Sequence, residues 1–110
     1  MTIRVDDKLQ GSLAAKARGR IVLIDAFRSW NCGTWVGDVT ARFADAAPGA
    51  EYVAADPIEG VPVMVRATLP KLLDDAGASL HGGGLLTRDG LRVQLDKPEL
   101  WLDWLANPGG

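Results

Sequence analysis

One cysteine, Cys32, and one histidine, His81, are the whole supply of those two ligating side chains in 110 residues. A lone thiol excludes an intramolecular disulfide, and one chain cannot close a metal site with its own thiolates. No purely apolar run exceeds the four residues of Ile21 to Ile24, whereas a membrane-spanning helix needs about twenty. No hydrophobic stretch of signal-peptide length follows Met1 to Asp7, so a cytoplasmic protein with no membrane partner is expected. An excess of one charge is missing as well: twelve Lys and Arg stand against fourteen Asp and Glu, for a formal net charge of -2. That balance lacks the basic footprint of a phosphate-backbone reader, and nucleic acid is not an expected partner. Internal repeats, low-complexity tracts and charge blocks are also lacking.

What is present suits a folded chain. With 47% hydrophobic and 24% charged residues the composition can fill a core and argues against disorder. The length fits one domain spanning residues 1–110. Ile3 to Val5 reads as a short strand, and Asp6 as the cap of a helix carrying Leu9, Leu13 and Ala17, weakened by Gly11 and ended by Gly19. Ile21 to Ile24 is apolar on both faces and reads as a central strand. Val39, Ala41 and Phe43 alternate with Asp38, Thr40 and Arg42 in a half-buried strand. Tyr52 to Ala55 and Val61 to Val65 read as strands joined through Asp56 to Gly60, with Pro62 placing the second at an edge or turning its missing donor outward.

Farther along, Thr68 heads a short helix holding Leu69, Leu72, Leu73 and Ala76. Leu85 to Thr87 and Leu91 to Leu95 flank Asp89-Gly90, a pair suited to a type I′ hairpin turn. Asp96 and Glu99 have capping-box spacing ahead of a helix with Leu100, Trp101, Trp104 and Leu105. Tight turns between successive strands, without regular strand–helix alternation, predict an α+β fold: a small, mainly antiparallel sheet or sandwich with two to three short helices.

Three segments carry candidate chemistry. His81-Gly82-Gly83-Gly84 matches the oxyanion loop of some esterases. The chain has neither a Gly-x-Ser-x-Gly elbow nor a second histidine to serve as base, so the glycines read as a connection and His81 as a polar loop residue. Phe27 to Asp38 reads as a loop between strands, holding Arg28, Trp30, Asn31, Cys32, Gly33 and Trp35. Cys32 is there either a small hydrophobe packed under Trp30 and Trp35, or a reactive or metal-binding thiolate helped by Arg28 and loose backbone donors, with Gly33 admitting a ligand or partner. Trp101 and Trp104 dock the last helix on the sheet or anchor a subunit interface. The acid pairs Asp6-Asp7 and Asp74-Asp75 read as helix ends or solvated faces, and Arg42 and Arg66 as outward strand residues.

The order of these features resembles the HesB/IscA-like superfamily of small iron–sulfur carrier proteins. The likeness runs through Ile3-Arg4-Val5-Asp6 with its helix, the strand Arg20 to Asp25, Cys32-Gly33, Val39 to Phe43, Glu59-Gly60-Val61-Pro62-Val63 and Leu91 to Leu95. Only Cys32-Gly33 and Gly60-Val61-Pro62-Val63 are at all specific. Members typically hold iron or a cluster with an early cysteine and a later Cys-Gly-Cys, usually across a dimer. Cys32 is placed like the early one, whereas the final segment, Trp101 to Gly110, contains no cysteine. The resemblance implies a HesB-like domain of non-enzymatic role, self-associating or bound to a protein partner, in which the usual cluster site has been lost or changed. A cluster takes four protein ligands, so any iron–sulfur cluster or metal here needs two chains, with Cys32 and His81 the available donors. A Cys32 thiol nucleophile and an interaction scaffold built on Trp101 and Trp104 are the alternatives.

Overall fold

The computed structural model describes residues 1–83 and 90–108. Its elements are β1 (Arg4–Val5), α1 (Leu13–Ala17), β2 (Ile21–Asn31), β3 (Thr34–Ala44), β4 (Tyr52–Ile58), β5 (Val61–Arg66), α2 (Pro70–Ala76), β6 (Ala78–Gly82), β7 (Leu91–Leu95) and α3 (Glu99–Ala106). Strands take 46% and helices 20%, in two mixed sheets, which corrects the expected α+β, mainly antiparallel fold. One sheet has the order β1-β6-β7 and the other β3-β2-β5-β4. The pairs β2–β3, β4–β5 and β6–β7 are antiparallel, whereas β1 with β6 and β2 with β5 are parallel. Two-residue turns join β2 to β3 and β4 to β5.

The strand content rises mainly at two places. Residues 27–38, expected as a loop, continue β2 and β3 to eleven residues each. Residues 78–82, next to the glycine run, form β6 and pair with β7. Leu85 to Thr87 and Asp89 of the expected hairpin lie outside the described residues, as does Gly84.

Apolar spacing fixes the core. Val22, Leu23 and Ile24 are fully buried, as their two-faced pattern requires. Register places Val22 opposite Phe43 and Ile24 opposite Ala41, and these join Val63 and Val65 of β5, Leu13 of α1, Leu69 and Leu73 beside and in α2, and Leu80 of β6. Gly11 adopts φ +79°, outside helical space, so α1 begins only at Leu13. None of the helices uses a side-chain cap; Asp96 pairs instead with Arg4 of β1. Pro62 lies in an inner strand, not at an edge. It is tolerated because β2 pairs β5 only from Val63 onward and the β4 ladder is irregular between Ala55 and Ile58, which leaves no ladder donor to lose there.

Candidate functional site at the β2–β3 hairpin tip

β2 and β3 pair without a break from Ile21↔Ala44 to Asn31↔Thr34. Cys32 and Gly33 alone turn the chain, with φ of 51° and 80°, the double positive φ of a type I′ turn. The conformation suits Gly33; at Cys32 it costs about 1 kcal/mol in an L-residue. β5 covers the edge of β2 only over Val22–Ile24. Past Asp25 the hairpin is a two-stranded ribbon, which by itself is only marginally stable in water.

Side chains brace it. Trp30 and Trp35 are cross-strand partners and meet edge to face, 5.2 Å between centroids at 76°. The Arg28 guanidinium lies 3.8 Å over the Trp35 ring. Arg28 Nη1 donates to the Leu105 carbonyl at 2.7 Å, where the last turn of α3 leaves acceptors free and favours a cation. Trp101 Nε1 donates to the Gly37 carbonyl at 3.3 Å. Gly37 is a point of close approach, since a Cβ there would fall 2.0 Å from the Phe27 carbonyl oxygen.

Cys32 itself is exposed. Its Sγ meets Asn31 Oδ1 at 3.4 Å, and Trp30 and Trp35 pack on each other, not over the sulfur. The reading of a buried small hydrophobe is thereby corrected. Arg28 is engaged by Trp35 and Leu105 and does not face the thiol. Beside the tip, Trp30 is 61% and Phe27 57% exposed.

His81 is a strand residue of β6, not a loop residue. Its Nε2 lies 2.8 Å from Ser79 Oγ and its Nδ1 3.7 Å from Asp6 Oδ2. These are the residue types of a hydrolytic triad, but 3.7 Å is too long for the hydrogen bond that would fix the imidazole tautomer. β6 is also paired on both edges, by β1 and β7, so its N–H groups run in ladders and do not converge on an oxyanion. Cys32 turns the β2–β3 hairpin of one sheet, whereas His81 lies in β6 of the other, and among the described residues no group of three or more His, Cys, Asp or Glu could hold a metal. No helix among them is long and apolar enough to cross a membrane. No family model matches the chain, and a search of curated proteins gives no match either.

Trp101 and Trp104 stack at 5.0 Å and 14°. Trp104 Nε1 donates to the Thr68 carbonyl at 3.2 Å, so both indole N–H groups are used inside the chain. The large apolar residue that α3 turns outward is Leu102, 65% exposed.

Sequence reasoning missed a polar cluster at the base of the hairpin. Tyr52 donates to Asp25 Oδ2 at 2.6 Å, and Arg66 reaches Asp25 through Nε, and through Nη2 at 3.2 Å. Burial alone would push the Asp25 carboxyl up, but the hydrogen bonds from Arg66, Tyr52 and the Ala26 N–H outweigh it and hold the pKa at about 2. The same bond to Asp25, with burial second, pushes Tyr52 up. The available signals were an acid ending an apolar run and a Tyr and an Arg at cross-strand positions; neither shows that all three meet. The cluster ties β2 to the β4–β5 pair.

Proposed function

We propose that this chain is a HesB-like domain without catalysis of its own, which acts in the reducing cytoplasm by associating with a second copy through the tip of the β2–β3 hairpin. One observation carries the reading: an exposed thiol and an exposed indole stand together on a braced ribbon, with Trp30 61% accessible. The likeness to HesB/IscA-like proteins gains support from the placement of Cys32-Gly33 at a strand–turn–strand and of Gly60-Val61-Pro62-Val63 at the entry to β5. Exposed apolar surface gains about 25 cal/mol per Å2 on burial, and tryptophan is a frequent interface anchor. Sedimentation equilibrium tests the reading. Self-association is expected, weakened about tenfold or more by Trp30→Ser; a monomer at every accessible concentration overturns it.

A second reading makes Cys32 one ligand of an iron–sulfur cluster or metal shared between chains. It is favoured by an exposed Cys32 whose Sγ, among the described residues, has Asn31 as its hydrogen-bond partner, and it leaves out His81, which is engaged by Ser79. Protein purified without oxygen then holds iron or zinc that Cys32→Ser loses. Colourless protein that takes up neither metal on reconstitution overturns it.

A further inference from the structure

Between α2 and α3 lies a groove of about 370 Å3, a size that accepts a small organic ligand. α2 contributes Lys71, Leu72 and Asp75, and α3 contributes Leu100, Asp103 and Trp104, each trio spaced three and four apart and so on one helical face. Trp101 stacks on one face of the Trp104 ring and does not line the groove, whereas Trp104 does. The Trp104 N–H already donates to Thr68, so the indole brings no free donor to the groove. The charges are uneven. Lys71 is paired with Asp75 at 2.8 Å, while Asp103 has no ion-pair partner among the described residues.

An aromatic face, two aliphatic side chains and one uncompensated carboxylate are together complementary to one kind of ligand. We propose that this groove binds a hydrophobic organic cation, a protonated or quaternary amine on an apolar body, with its charge between Asp103 and the Trp104 face and its hydrocarbon on Leu72 and Leu100. Cation–π attraction and the carboxylate favour it over a neutral or anionic molecule of equal shape. The site is independent of the hairpin tip and of any metal at Cys32.

The four indole N–H resonances of 15N-labelled protein give the readout, with Trp104 assigned from Trp104→Phe. Titration with benzyltrimethylammonium is expected to shift the Trp104 signal saturably, and titration with benzenesulfonate to leave it in place. Asp103 is exposed, so Asp103→Asn keeps the fold and should weaken binding about threefold to tenfold. Lys71→Gln, which frees the Asp75 charge, should tighten it about twofold to threefold. Equal shifts from benzyl alcohol and the cation, an unchanged affinity in Asp103→Asn, or no saturable shift at Trp104 overturns the proposal.

Discussion

The two tryptophan pairs of this chain have the same composition and opposite circumstances. Trp101 and Trp104 stack face to face, and each N–H is held by a carbonyl of the same chain, Gly37 or Thr68. Trp30 and Trp35 meet edge to face at the hairpin tip, with Trp30 left largely in solvent, and among the described residues neither indole N–H has a partner. A tryptophan with its polar edge satisfied inside the chain contributes to packing. One whose ring and N–H are both outside is free to contribute to contact with something else. The helix pair therefore contributes to holding the fold, whereas Trp30 of the hairpin pair is left available for contact outside the chain.

The most severe way to break that contrast is at Gly37, where the ribbon and Trp101 meet. Gly37→Val puts side-chain atoms into the Phe27–Arg28 backbone and is expected to destabilise by about 3 kcal/mol, read from urea denaturation. A loss below about 1 kcal/mol would mean that the ribbon is not held against its neighbours as described. Next comes a direct comparison. Trp101→Ala removes a half-buried ring and a hydrogen bond and should cost about 2 kcal/mol, whereas Trp30→Ala, which loses only the cross-strand contact with Trp35, should cost about 1 kcal/mol or less while weakening self-association. Equal losses of stability from both would erase the distinction between the pairs.

The base of the ribbon provides an effect of similar or smaller size through pH. Asp25 has its folded-state pKa at about 2, below an unfolded value of about 3.9. Its stabilising contribution is therefore complete above about pH 4 and disappears as pH falls through about 2. With solvent screening of a pair whose side chains are 24% and 32% exposed, the loss should be about 1–2 kcal/mol. Stability curves at pH 5 and at about pH 2 should differ by that much more in wild type than in Asp25→Asn. An identical acid dependence in the two proteins would remove the cluster as a brace.

How much of this was visible in the sequence follows from the range of each signal. The two-faced run Ile21 to Ile24, the alternation from Asp38 to Phe43 and the strand Leu91 to Leu95 were readable because their patterns are local. The ribbon was not, because Arg28 and Trp30 share a face with Trp35 and Gly37, so neither face alternates cleanly between apolar and polar. Asp25, Tyr52 and Arg66 join three strands, and β2 meets β5 in parallel, which no turn between them announces. Cys32 stands out by its scarcity and by its setting between Trp30 and Trp35 beside Gly33. Its exposure follows from a ladder that stays in register up to Asn31 and leaves two residues for the turn.

That turn yields the smallest expected effect and the one most specific to Cys32. Asparagine tolerates positive φ far better than cysteine, and Asn-Gly is the preferred pair of a type I′ turn. Cys32→Asn should therefore stabilise the protein by about 0.5 kcal/mol, measured as a higher denaturation midpoint with unchanged slope. A destabilised variant would show that the thiol packs in a way its exposed position does not account for. A stabilised variant that also loses self-association or metal would separate the two roles of the tip: the turn needs only its shape, and the residue at its first position is cysteine for the sake of what it meets outside the chain.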